Sequence, residues 1–164
     1  MIKKIKQTKL EKYLTVFIVI LAVFSFGTFF ILKNKCLFVK NYDPNNLVFE
    51  NVENIAVLNV PCGNVIIELY PKLSPNSVKR FKMLINSGEY NDVAFHRVVK
   101  KFLVQAGDLE HGKKNNINYT YLGTGSSKYG KIKSEVSEPF NFIKGSVGMA
   151  RKSAMNTEGS QFFI

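Results

Sequence analysis

Residues 14–32, LTVFIVILAVFSFGTFFIL, form a run of 19 residues without a charged side chain. At about 1.5 Å per helical residue the run is roughly 28 Å long, close to the ~30 Å thickness of a bilayer's hydrocarbon core. A domain as small as the remaining sequence allows could hardly surround such a helix. The run therefore predicts a transmembrane helix that anchors the chain in the lipid bilayer.

The charges around this run predict its orientation. Five lysines precede it and three follow it: Lys3, Lys4, Lys6, Lys9 and Lys12, then Lys33, Lys35 and Lys40. The excess before the helix favours a cytoplasmic basic tail at residues 1–13, with the rest of the chain on the periplasmic or another exported side. A cleaved signal peptide is the alternative, but its apolar region is usually shorter and only Ser25-Phe26-Gly27 resembles a cleavage site.

The chain carries 23 Lys and Arg residues against 12 Asp and Glu, a net charge of +11. Outside the N-terminus these charges are scattered, which favours a solvated basic surface over a nucleic-acid site, and we expect no nucleic-acid partner. The two cysteines, Cys36 and Cys62, have the spacing of neither a metal site nor a thiol-redox motif. They could pair, but one lies in a linker and the other in a turn, and we expect both to be structurally incidental.

Residues 33–53 are polar and predict a linker, and a folded domain is expected over residues 54–164. Residues 55–60 and 65–70 are strand-like around a four-residue hairpin connection. Residues 75–87 predict an amphipathic helix, with Ser74 as N-cap and Pro75 in the first position. Its apolar face consists of Val78, Phe81, Leu84 and Ile85.

The rest of the domain contains short strand-like segments at residues 95–99, 102–106, 146–150 and 161–164. Between the second and third of these, residues 109–133 have no sustained period and predict a long functional loop. The fold class is therefore mainly β, an antiparallel sheet curled into a barrel with one flanking helix.

Two polar residues lie in the strand-like segments FHRVV and FLVQA. Alternation along two strands joined by a tight turn places Arg97 and Gln105 on the same side. Two interpretations remain open. In the first, Arg97 is buried and paired with a carboxylate, and Gln105 is hydrogen-bonded to the backbone. In the second, both side chains belong to a functional surface. His96 alternates away from Arg97 and is expected in the core, whereas His111 is expected to be solvated.

The sequence gives little support for other kinds of catalytic site. No serine occupies a nucleophile elbow, and no His and Cys spacing suits zinc. LGTGSSKYG is a weak candidate for a phosphate-binding loop. We expect neither a metal nor a cofactor.

FHRVVKKFLVQAGD at residues 95–108 and GSVGMARKSAMNTEGSQFFI at residues 145–164 resemble the cyclophilin family of peptidyl-prolyl cis-trans isomerases, in its bacterial style. The likeness runs from about residue 55 to residue 164. It implies an eight-stranded antiparallel barrel with two flanking helices and an outer groove for X-Pro peptides. The partners it implies are proline-containing polypeptides, here exported proteins whose folding the domain assists.

The resemblance also implies roles for individual residues. Arg97 is the expected catalytic residue. Phe102, Leu103 and Phe163 form the apolar seat for the proline ring. Peptide is held by Gln105, Gln161 and the backbone around Ala150, Arg151 and Lys152. Alternation alone would put Phe102 on the face opposite Leu103, so its role rests on the resemblance.

This sequence departs from the family pattern in three places. Leu103 stands where the family often has Met, and Ala106 replaces a Gly. Beyond SQFFI the family continues with further strands, a second helix and the far wall of the groove. We therefore expect the domain to be incomplete, with an unpaired apolar edge at residues 161–164 and with reduced or no turnover. A proline-peptide-binding chaperone module and a basic nucleic-acid or membrane-surface domain are the alternative functions.

Overall fold

The computed structural model describes residues 8–33, 36, 43–136 and 141–164. Most of the predicted basic tail (residues 1–7) and much of the predicted linker (residues 34–35 and 37–42) lie outside the described residues. The described chain divides into two compact units, Met1–Val48 with Val57–Ile66, and Phe49–Ala56 with Ile67–Ile164.

The first unit contains the long apolar helix α1, Lys9–Lys33. It begins at a capping box, in which the Thr8 amide donates to Glu11 Oε2 at 2.7 Å and the Glu11 amide donates to Thr8 Oγ1 at 3.3 Å. The helix is longer than the predicted 14–32, and none of its residues is buried. Among the described helices it alone has the length and composition to cross a membrane. A signal sequence near an N-terminus has the same length and composition.

The cysteines are not incidental. Strands β1 (Ile55–Val60) and β2 (Gly63–Glu68) are joined through Pro61 and Cys62, a shorter connection than the four residues predicted. Gly63 has φ = 140°, a value that favours glycine at this position. Cys62 forms a disulfide with Cys36, three residues beyond the end of α1. The bond therefore ties the turn of the hairpin to the segment that follows the apolar helix.

In the second unit, helix α2 (Pro75–Asn86) packs its apolar face into the core. Val78, Phe81 and Leu84 are buried as predicted, whereas Ile85 is 38% exposed. Phe81 belongs to a cluster of three aromatic rings with Tyr90 and Phe162, with centroids 5.2 to 5.4 Å apart. The remaining buried apolar residues of this core are Ala56, Ile67 and Ala106.

The N-terminus of α2 is capped by a residue distant in sequence. The Ser74 side chain makes no capping hydrogen bond, contrary to the prediction. Instead, the Glu135 carboxylate accepts from the amides of Asn76 at 2.7 Å and Ser77 at 2.8 Å. Burial raises the pKa of Glu135, but these N–H groups outweigh it and hold the pKa below its ordinary value.

We expect Glu135→Gln to destabilise the folded domain by about 1 kcal/mol at pH 7, since it removes an anionic cap from a helix N-terminus. The pKa of Glu135 is lowered on folding, so its contribution is complete above its unfolded value near 4.5 and is lost as the pH falls through the folded pKa. Urea unfolding at a series of pH values from 7 downwards should show a difference between variant and parent that is largest at pH 7 and narrows as the pH falls. Glu50→Gln, at an exposed position, is the matched control; equal losses in both variants would contradict the cap.

The second sheet has four antiparallel strands in the order β3-β4-β6-β5. They are β3 (Arg97–Val99), β4 (Leu103–Ala106), β5 (Gly148–Met149) and β6 (Phe162–Phe163). Because β6 pairs with β4 on one side and β5 on the other, the expected unpaired edge at residues 161–164 is wrong. The described strands confirm a mainly β, antiparallel fold with a flanking helix.

The segment predicted as a long loop contains no strand or α-helix. It holds one 3-10 turn, Lys114–Asn116, and is attached at its ends by isolated bridges from Val93 to Lys113 and from Ile132 to Glu158. Between these bridges the segment contacts the residues next to β4 and β6, where the candidate site lies.

Candidate active site

The β3–β4 hairpin places Arg97 directly opposite Gln105, as alternation predicted. Its turn, at residues 100–102, includes Lys101 at φ = 62°. One guanidinium nitrogen of Arg97 donates to Gln105 Oε1 at 3.4 Å. The two polar side chains therefore lie side by side on one face of the sheet.

Gln161 extends this arrangement to the next strand. Gln105 Nε2 donates to Gln161 Oε1 at 2.8 Å, and Gln105 is paired with Phe163 in β6. Arg97, Gln105 and Gln161 thus form a row of hydrogen-bonded side chains that runs across β3 and β4 to the residue just before β6.

Arg97 is an exposed residue. Within the described residues the ion pairs are His111 with Glu110 and Lys128 with Glu89, so no described carboxylate neutralises Arg97. This excludes the alternative of a buried Arg satisfied by a described carboxylate. An exposed cation that bonds Gln105 is left beside the sheet.

Apolar side chains lie next to this row. Leu103 is half-buried opposite Val99, and Phe163 packs its ring against Phe142 with centroids 5.0 Å apart. Phe102 is 73% exposed and lies in the turn before β4 begins. Alternation along a strand therefore does not govern the direction of the Phe102 side chain.

The segment at residues 150–152 lies beside Gln161. The Ala150 amide donates to the Gln161 carbonyl at 2.7 Å, and the Lys152 amide donates to Thr157 Oγ1 at 2.9 Å. Arg151 turns its guanidinium back onto the carbonyls of Lys152 and Ser153. The backbone of this segment, rather than its charged side chains, is thus anchored to the row of polar residues.

Three residues without a predicted role, Gly123, Gly125 and Asp108, hold the Gln161 side chain through hydrogen bonds. Gln161 Nε2 donates to the carbonyls of Gly123 at 2.9 Å and Gly125 at 2.7 Å. The amides of the same glycines donate to the buried carboxylate of Asp108. LGTGSSKYG is therefore not a phosphate-binding loop, because Asp108 already occupies these amides. An Asp shortly after a strand, with a Gly-x-Gly segment that begins 15 residues further along the chain, is the sequence signal that could have indicated this pairing.

The two histidines differ from each other. Both ring nitrogens of His96 are buried, and the ring lies beside Gly123, which agrees with a packed histidine. The His111 side chain is only 20% exposed and contacts the Tyr121 ring, with centroids 5.6 Å apart, so its expected solvation is wrong. Among the described residues no group of three His, Cys, Asp or Glu side chains could hold a metal ion.

Comparisons with known proteins agree with this geometry. The family model described as cyclophilin type peptidyl-prolyl cis-trans isomerase/CLD matches residues 52–164. This chain belongs to the cyclophilin-type family. A curated relative, a probable peptidyl-prolyl cis-trans isomerase of Brucella suis, is 43% identical over 114 residues, covering 68% of this chain and 57% of the relative.

Solved cyclophilins share the fold. A cyclophilin type peptidyl-prolyl cis-trans isomerase of Cryptosporidium parvum is 34% identical with a TM-score of 0.53, covering 62% of this chain and 60% of that one. The same protein solved in the presence of the dipeptide Ala-Pro gives a TM-score of 0.52 at 34% identity, covering 62% and 61%. The chain thus spans a little over half the length of the cyclophilins it matches.

Proposed function

We propose that this cyclophilin is a membrane-anchored peptidyl-prolyl cis-trans isomerase that acts on X-Pro bonds of exported polypeptides. The row of Arg97, Gln105 and Gln161 beside Leu103 and Phe163 is the observation that carries the proposal. It presents an unpaired cation and amide groups next to an apolar surface. The Cryptosporidium relative solved with Ala-Pro supports proline-containing peptides as ligands.

The residue types suit the chemistry of amide rotation. The barrier of about 18–20 kcal/mol arises because the nitrogen lone pair is delocalised into the carbonyl group. No covalent bond has to form or break, so neither a nucleophile nor a proton shuttle is needed. In the twisted state the lone pair returns to the proline nitrogen, where a cationic donor can hydrogen-bond it. An interaction made mainly in that state lowers the barrier without tightening ground-state binding.

In the proposed roles, the Arg97 guanidinium donates to the proline nitrogen, since it stays charged and holds its donors in a rigid plane. Phe102, Leu103 and Phe163 seat the proline ring, where water competes less for the same donor. Gln105, Gln161 and the backbone at residues 150–152 hold the peptide on either side. No cofactor or metal enters this mechanism.

Turnover of a proline-containing tetrapeptide by the full chain in detergent tests the proposal directly. Uncatalysed exchange takes tens to hundreds of seconds, so catalysis is measured as acceleration of the slow phase. Proline-peptide binding without acceleration would instead select the chaperone-like binding module.

The proposed topology places residues 1–13 in the cytoplasm, the anchor at residues 14–32, a linker at residues 33–53 and the domain at residues 54–164 on the exported side. The Cys36–Cys62 disulfide supports this orientation, because disulfides persist in oxidising compartments and are rare in the cytosol. A tagged N-terminus that stays attached to the mature chain would separate an anchor from a cleaved signal peptide.

Thiol labelling tests the orientation, since the chain has only these two cysteines. In intact cells or spheroplasts, a membrane-impermeant maleimide should label the parent only after an impermeant reductant has been added. Cys36→Ser frees Cys62 and should be labelled without reductant, which makes it the matched control. Labelling of the parent without reductant, and only after lysis, would place the cysteines in the cytoplasm and contradict the topology.

A further inference from the structure

Asp108, two residues after the end of β4, is completely buried, and backbone amides surround its carboxylate. Oδ1 accepts from the amides of Glu110 at 3.2 Å and His111 at 2.8 Å. Oδ2 accepts from the amides of Gly123 at 2.7 Å and Gly125 at 3.2 Å. Burial raises the pKa of Asp108, but the four N–H groups outweigh it and keep the pKa below its usual value. The side chain is therefore an anion that binds two separate stretches of the loop.

The carboxylate fixes the backbone of the segment at residues 123–125. A Cβ added to Gly125 would lie 2.3 Å from Asp108 Oδ1, so the close approach requires glycine. Gly123 has φ = +89°, and a Cβ there would lie 3.1 Å from the His96 ring. The amides of both glycines point to Asp108, and their carbonyls are left to bind Gln161.

Those two carbonyls determine which way the Gln161 amide faces. Gly123 and Gly125 accept both hydrogens of Gln161 Nε2, at 2.9 and 2.7 Å. Because the amino group is fully used, Oε1 must face Gln105, from which it accepts at 2.8 Å.

The same logic orients Gln105. With its Nε2 committed to Gln161, its Oε1 is turned towards Arg97 and accepts from the guanidinium at 3.4 Å. A reversed amide would bring an NH₂ group against the guanidinium, donor against donor. The orientation of both side-chain amides is therefore determined by the buried carboxylate of Asp108.

We propose that Asp108 is a positioning residue for Arg97, acting through the backbone of Gly123 and Gly125 and the side-chain amides of Gln161 and Gln105. It does not touch substrate. Its carboxylate selects the one orientation of the two amides that presents an acceptor to the guanidinium and holds its donors in place. This inference rests on the proposed isomerase function.

Asp108→Asn is the first test, because it keeps the shape but turns one acceptor oxygen into a donor that faces amide donors. We expect kcat to fall by roughly tenfold, with KM changed less than twofold, since the loss lies in the orientation of a group that acts in the twisted state. In a Gln105→Ala background, where the row is already interrupted, the same substitution should change kcat less than twofold. An equal loss in both backgrounds would overturn the proposal.

Glu158→Gln is the matched control, as Glu158 is also a buried carboxylate, 6% exposed, but accepts from Ser134 Oγ and lies outside the row. The second readout is the NMR signals of the Gln105 and Gln161 side-chain amides. They should shift or broaden in Asp108→Asn and stay in place in Glu158→Gln. Unchanged glutamine signals in Asp108→Asn would overturn the proposal whatever the kinetics.

The two readouts also separate this inference from the proposed function. If the parent chain shows no turnover, the isomerase proposal fails, and the glutamine signals still decide whether Asp108 orients the row. If Asp108→Asn does not fold, Gly125→Ala replaces it, because it keeps the carboxylate and displaces the segment that carries its effect. The same loss of kcat and the same shifts support the proposal there, and their absence overturns it.

Discussion

Arg97→Ala is expected to lower kcat/KM for a proline-containing tetrapeptide by about 100-fold, the scale of losing one preorganised donor to a transition state. Most of the loss should lie in kcat, because the guanidinium bonds a lone pair that localises only when the amide is twisted. The structure leaves Arg97 exposed and bonded to Gln105 rather than to a described carboxylate, so its removal leaves no buried charge behind. The measurement is the rate of cis-trans exchange at varied enzyme and varied peptide concentration, which separates kcat from KM.

Two companion variants define what the result means. Lys79→Ala removes an exposed cation from α2, and its turnover should match the parent. Arg97→Lys keeps the charge but loses the rigid fork of donors, and we expect it to recover only part of the lost rate. Unchanged turnover in Arg97→Ala would contradict the proposed role of the guanidinium, even if the parent is an active isomerase.

The pairing of Arg97 with Gln105 was predictable because it depends on local rules. Successive side chains alternate along a strand, and a tight turn fixes the register of the two strands it joins. Two residues eight positions apart in the sequence therefore lie opposite each other. Helix α2 was predictable for the same reason, since its buried residues follow the helical period.

Features set by distant contacts were not predictable. Ser74 has the right type and position to cap α2, yet Glu135, 58 to 59 residues further along the chain than the amides it binds, takes that place. The pairing of Cys36 with Cys62 and the bonds from Asp108 to Gly123 and Gly125 also depend on how loops return to the strands. Periodicity contains no information on such returns. The resemblance to cyclophilins indicated the glutamines, but no periodic pattern indicated the anion behind them.

Two neighbouring positions, Ala106 and Gly107, show how contacts between distant segments restrict the residue type at a single position. Ala106, which stands where the family pattern has Gly, is 4% exposed within β4 and opposite Phe162, so a methyl group fits there. Gly107, the next residue, has φ = +90°. A Cβ on Gly107 would lie 2.4 Å from the Ser160 carbonyl oxygen and 2.9 Å from Gln161 Cα, both backbone atoms. The first position accepts alanine and the second cannot.

Gly107→Ala is therefore expected to destabilise the domain by about 3 kcal/mol, the sum of roughly 1 kcal/mol for the left-handed backbone and ~2 kcal/mol for overpacking against backbone that cannot rotate away. Gly130→Ala is the matched control, since Gly130 has φ = +72° but nothing within 4 Å of its added Cβ. It should lose only the backbone contribution. The free energy of urea unfolding, followed by tyrosine fluorescence in a chain that has 7 Tyr and no Trp, measures both.

The comparison isolates packing between the end of β4 and the residues that precede β6. Ser160 Oγ donates to the Gly107 carbonyl at 2.7 Å, so the two segments are bonded as well as in contact. If they part in Gly107→Ala, Gln161 moves with Ser160, and turnover should fall together with stability. Equal destabilisation of the two variants would mean that the segments separate freely, and that the position of Gln161 is set by something other than this contact.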